Sequence, residues 1–143
     1  MKHFLIALGM SIGIMACSSS KIIGYTYTEG GMMGSTKMTI TADSLTFLKT
    51  SRGQQTYEAF TSPETDWIDL QKMGKHIQYN GMDTLKSPTM GRATDAAPFA
   101  YMEIITADSV YQSASFDGGQ PPIAIAALVI QLRNLSTSAK VKN

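Results

Sequence analysis

The residue with the clearest chemistry is Cys17, the one cysteine of the 143-residue chain. Before it, Lys2 and His3 form a basic start, and Phe4 to Ile14 form an apolar run broken only by Gly9, Ser11 and Gly13. That run is shorter than the ~20 residues of a membrane-spanning helix and has the make-up of an export-signal core. Ile14-Met15-Ala16-Cys17 then has the lipobox pattern. An aliphatic residue three places before the cysteine and a small one just before it suit cleavage between Ala16 and Cys17 once the thiol carries diacylglycerol. Residues 1–16 are therefore expected to be a lipoprotein signal peptide, with Cys17 the lipidated first residue and 17–21 a polar tether. The thiol is then an attachment point, not a nucleophile. Each buried acyl CH2 contributes about 0.8 kcal/mol, so several chains make a durable membrane anchor where one binds reversibly. Ser18 supplies no acidic inner-membrane retention signal and no acidic run follows, which points to the cell envelope and the periplasmic face of the outer membrane. A conventional secretory signal ending near Ala16 is the alternative.

Little else in the chain has the residue types that reactions need. After the signal one histidine remains, His76, which with no second thiol excludes histidine-rich metal sites and Cys/His nucleophile pairs by count. His76 follows a predicted helix end, where a solvated imidazole is ordinary. Glu64, Asp66 and Asp69 fall in the first helix without converging, and a deep pocket joining two of Asp83, Asp95 and Glu103 would be needed to argue for an enzyme. Gly30-Gly31 and Gly118-Gly119 lack the Lys and Ser/Thr of a phosphate loop and read as turns. No catalytic residue, metal or cofactor is expected.

The unusual feature is a hairpin tip. Met32 and Met33 are adjacent thioethers flanked by Gly30, Gly31 and Gly34, where turns are normally polar. Either they insert into a partner's pocket or they fold back onto the core. The apolar run Ile123 to Ile130 is a second candidate surface, with burial the simpler account.

These residues must be positioned by the elements around them. Lys2 leaves with the signal, so eleven basic and eleven acidic side chains remain in residues 17–143. That neutral balance gives no support for nucleic acid or broad electrostatic membrane binding, and the length suits one domain, 22–136. Period-two alternation through Ile23, Tyr25 and Tyr27, then Met38 and Ile40, predicts a hairpin, followed by strands at Leu45 and Phe47 and at Thr56 to Thr61. A helix capped by Ser62, with Pro63 first, should present Trp67, Leu70 and Met73 and end at a left-handed Gly74. Residues 78–98 read as an irregular connection with a short strand near Ile77 to Tyr79. Strands over Phe99 to Thr106 and Val110 to Phe116 then lead to a final helix with the stripe Ile125, Leu128, Val129, Leu132 and Leu135, and to a flexible tail, 137–143. Ile40-Thr41-Ala42-Asp43-Ser44-Leu45 recurs as Ile105-Thr106-Ala107-Asp108-Ser109-Val110, by duplication or by chance, with Asp and Ser closing both turns. The fold class is α+β: an antiparallel β-sheet of about five to six strands, a meander plus a late hairpin, packed against two α-helices.

The early strand, Glu29-Gly30-Gly31-Met32-Met33-Gly34, the strand ending at an Asp turn, the helix with Trp67 and Leu70, the late hairpin and the Pro-led leucine-rich helix together resemble the emfourin family. Emfourins are small proteinaceous inhibitors of thermolysin-like metallopeptidases. The resemblance covers the layout of residues 21–135, while the lipobox and the long connection depart from it. It implies a non-enzymatic binding protein, here membrane-anchored through the lipobox cysteine, whose partner is a thermolysin-like metallopeptidase, met through Gly30, Gly31, Met32, Met33 and Gly34. A structural or assembly lipoprotein of the envelope without inhibitory activity is the alternative.

Overall fold

Alternation in the first half builds four consecutive strands: β1 (Ile22–Gly31), β2 (Gly34–Ile40), β3 (Ser44–Ser51) and β4 (Gln54–Thr61). β5 (Phe99–Thr106) returns along the other side of β1, and β6 (Val110–Gln112) and β7 (Phe116–Asp117) both pair with β5. The result is an open antiparallel seven-stranded sheet in the order β4-β3-β2-β1-β5-β6. With α1 (Glu64–Gly74) and α2 (Ala126–Val141) on one face, the fold is α+β. The computed structural model describes residues 20–94 and 97–141. The expected signal peptide, the cleavage and lipidation positions Ala16 and Cys17, most of the tether, Asp95 and residues 142–143 lie outside the described residues.

The register decides which side chains meet the helices. Tyr25 and Tyr27 stand opposite Ile40 and Met38 on β2 and opposite Ile104 and Met102 on β5; Phe47 and Leu45 of β3 continue the row. All are at most 4% exposed, and the 3-10 turn Ile123–Ile125 followed by α2 lays Ile125, Leu128, Val129, Leu132 and Leu135 onto them, the stripe that the periodicity predicts. Burying each such side chain contributes about 1.5–3 kcal/mol, so this layer holds the sheet and α2 together. α1 adds the fully buried Leu70, and Trp67 packs edge-on to Tyr25 with ring centroids 5.9 Å apart. The opposite face carries Gly24, Thr26, Thr28 and Gly30 of β1 between the longer side chains of β2 and β5, including the Lys37–Glu103 ion pair at 3.4 Å.

Several local expectations are corrected. Ser62 does not cap α1: its N–H donates to Asp43 O at 3.2 Å, extending the β3–β4 ladder, and its buried hydroxyl has no partner. Pro63 is consequently the extended cap residue instead of the first helical one. Gly74 is not left-handed either; α1 passes into right-handed Lys75. A glycine is needed there because a Cβ would collide with the Tyr25 hydroxyl, which donates to Leu70 O at 2.9 Å. The Val110 to Phe116 strand is broken at Ser113, whose Oγ accepts the Met102 N–H at 3.1 Å in place of a backbone carbonyl. No strand forms near Ile77 to Tyr79; Tyr79 instead stacks on Tyr111 at 5.4 Å. α2 continues past Ser136 to Val141, so the chain is helical where a flexible tail is expected.

The repeated turns share their hydrogen bonds, although threonine rather than Asp and Ser closes them. The N–H of Thr41 donates to Ser44 O and that of Thr106 to Ser109 O, both at 2.8 Å. The threonine hydroxyls accept the N–H of Ser44 and of Ser109, both at 3.1 Å. Both turns lie at the end of the sheet where β1 begins, opposite the Met32-Met33 tip. Ten residues of β1, at about 3.3 Å each, separate the two ends by roughly 30 Å.

Candidate functional site

β1 and β2 stay paired up to Gly31 and Gly34, so the reversal is made by Met32 and Met33 alone. Neither methionine has a positive φ; the distortion falls on Gly34, at φ 146°. A Cβ at Gly34 would run into Thr50 O of β3, and one at Gly30 would lie 3.0 Å from Ser35 Cβ and 3.1 Å from the Phe99 ring. Two of the three flanking glycines are therefore fixed by close approach, whereas a Cβ at Gly31 would meet nothing nearer than Pro98 at 3.9 Å.

The thioethers do not fold back. Met32 is 74% and Met33 60% exposed. Ser51 Oγ donates to Met33 O at 3.3 Å, joining the tip to the neighbouring β3–β4 turn. That turn is Arg52-Gly53, with φ of 50° and 81°, the left-handed pair that a two-residue hairpin favours. A shallow depression of about 530 Å³ runs between the turns, bordered by Met32, Met33, Thr50, Arg52, Gly53 and Phe99. The site thus joins Gly31, Met32, Met33 and Gly34 of the predicted tip to Thr50, Arg52, Gly53 and Phe99, with Gly30 behind them against the Phe99 ring. Sequence patterning shows Arg52 only as a turn residue and Phe99 only as a strand start; the register of three strands and β5's return bring them to the tip.

The remaining candidates stay apart. Glu103 pairs with Lys37 on the open face, while Asp83 borders a different surface depression with Tyr79 and Tyr111. Gly118-Gly119 forms a turn, closed by the Gln120 N–H on Asp117 O at 2.9 Å. Of the apolar run, Ile123 (94% exposed) and Ile130 (53%) remain outside the core. Among the described residues, no three His, Cys, Asp or Glu side chains gather as a metal site, and no helix is long and apolar enough to cross a membrane.

One carboxylate that the sequence does not single out organises a loop. Asp117 accepts the Thr89 hydroxyl, the N–H of Gly91 at 2.6 Å and that of Arg92 at 2.7 Å. The Thr89 contact first, then the two amides and the Arg92 guanidinium, hold its carboxyl at about 2, below the usual carboxylate range. Burial pushes the Tyr25 and Tyr27 hydroxyls up, the latter helped by Glu29, which accepts its hydrogen bond at 3.4 Å.

No protein-family model matches the chain, and no curated protein matches it.

Proposed function

We propose that this chain is a lipid-anchored envelope protein acting as a non-enzymatic binding protein, and that it inhibits a thermolysin-like metallopeptidase in the manner of the emfourins it resembles. The observation that carries the reading is the exposure of Met32 and Met33 on a turn braced by Gly30, Gly34 and Ser51. Burying a methionine side chain in a partner's apolar pocket contributes about 1.5–3 kcal/mol, while a preformed turn limits the ordering cost. Lipid on Cys17 would hold the opposite end at the periplasmic face of the outer membrane, leaving the tip about 30 Å out, in reach of a soluble enzyme.

The test is inhibition of a thermolysin-like peptidase by residues 18–143, which contain the whole core from Ile22 to Leu135. Micromolar inhibition that falls at least ~100-fold in the Met32→Asp, Met33→Asp variant supports the reading, since each aspartate forfeits one burial. No inhibition by the unsubstituted domain sinks it. Recovery of a membrane complex instead of a peptidase from solubilised envelope would favour the assembly role.

A further inference from the structure

The two edges of the sheet are treated differently. At the β6 edge, Tyr79 stacks on Tyr111 and the Ala114 N–H donates to Met82 O at 2.9 Å, so a loop covers a strand of only three residues. The β4 edge is eight residues long and, among the described residues, nothing covers it; the strand has no proline, no bulge, and a single charge, Glu58, already paired with Lys49 at 2.6 Å. Uncovered, regular edges of this length are what folded proteins usually blunt, because their free N–H and C=O groups template another strand.

The ladder fixes which groups are free. The Ser62 N–H on Asp43 O marks that pair as hydrogen-bonded, and the pairing of Ser51 with Gln54 across a two-residue turn has the same phase. Gln54, Thr56, Glu58 and Phe60 therefore direct their backbone groups to β3, while Gln55, Tyr57 and Ala59 direct theirs outward. Beside this row, on the helix face, lies a cavity of about 300 Å³ whose wall includes Leu45, Phe60, Pro63, Leu135 and Ala139, with Asp66 at its rim. An edge with free ladder groups next to an apolar pocket is the arrangement that binds peptides by strand addition, the backbone supplying affinity and the pocket selecting a side chain.

From this juxtaposition we infer that β4 and the adjoining cavity form a peptide-binding groove, separate from the hairpin tip. The occupant is an extended segment of another protein, added antiparallel to β4, with a leucine- or phenylalanine-sized side chain in the cavity and a basic residue nearby to meet Asp66. A second copy of this chain is disfavoured by geometry under the anchoring proposed above. Antiparallel pairing of two β4 edges would point the two anchored ends in opposite directions, away from any shared membrane.

The test uses octapeptides of randomised sequence displayed on phage and selected against residues 18–143, the enriched peptides then being synthesised and titrated by fluorescence polarisation. Two variants locate the site. Ala59→Pro removes an outward N–H that serves no internal ladder bond, and Ser138→Trp places an indole at the wall of the cavity from an exposed helical position. Enrichment of apolar–basic peptides that bind at micromolar concentration, at least tenfold weaker to both variants and unchanged by Met32→Asp, is expected. A selection that yields no binder, or binders unaffected by Ser138→Trp, overturns the groove. Because the tip variant is read separately, failure of the inhibitor reading and failure of the groove are distinguishable.

Discussion

Replacing Gly74 by alanine isolates a single contact between α1 and the sheet. The backbone there is ordinary right-handed helix, so alanine meets no φ penalty, and in helix interiors it is favoured over glycine by about 0.5–1 kcal/mol. Against that, the new Cβ would collide with the Tyr25 hydroxyl and lie 2.9 Å from Ile22 Cδ1. Overpacking of this kind costs about 1–3 kcal/mol, which wins at the last residue of a helix, where the propensity gain is reduced. Tyr25→Phe alone forfeits the hydrogen bond to Leu70 O and is expected to cost about 0.5–1.5 kcal/mol. In the double variant the colliding oxygen is gone, so the two losses should not add. The pair should be no less stable than Gly74→Ala alone, a coupling of about 1 kcal/mol or more. Urea unfolding followed through Trp67, the one tryptophan, reads this directly because its ring packs against Tyr25. Additivity within about 0.5 kcal/mol would refute the steric argument.

Gly34→Ala should lower stability by at least ~2 kcal/mol, combining a left-handed φ with a collision against Thr50 O, whereas Gly31→Ala should cost under ~1 kcal/mol; thermal midpoints of the two variants distinguish them. Asp117 has its acidity strengthened by folding, so its contribution to stability is complete above about pH 4 and is lost as pH falls through about 2. The amide resonances of Gly91 and Arg92 should therefore titrate with a midpoint near 2, and a midpoint at the ordinary carboxylate value would remove Asp117 as the anchor of that loop.

Most strands and α2 were legible because their core faces repeat, Tyr25, Tyr27, Met38 and Ile40 at period two and Leu128, Leu132 and Leu135 at helical spacing. The exception is Ile23, expected on the Tyr25 face but 44% exposed, because an irregularity between Ile22 and Gly24 puts Ile22 in the core instead. The misreadings arose where a side chain had two uses. Ser62 has the chemistry of a cap, yet the ladder with Asp43 claimed its N–H. Gly74 looks like a helix stop, but its reason is Tyr25, 49 positions earlier in the chain and invisible to any local pattern. Ser113 interrupts a strand by offering its hydroxyl to Met102. The tip itself could be read from Gly-Gly-Met-Met-Gly, while its neighbours Arg52 and Phe99 depend on strand register, and the β4 edge depends on sheet order. Neither is written in any single segment.

β1 links the two ends of the domain as one strand, with Ile22 at one end and the Met32-Met33 turn at the other. A strand is already near full extension, so tension applied between those points finds almost no slack to release. The load would travel along one covalent backbone, leaving the ladders on either side unsheared. If the chain is anchored ahead of Ile22 as proposed, a partner gripping the methionines would pull along β1 without unravelling the sheet, whereas a grip on the Arg52-Gly53 turn would have to pass its force sideways across the hydrogen bonds between strands.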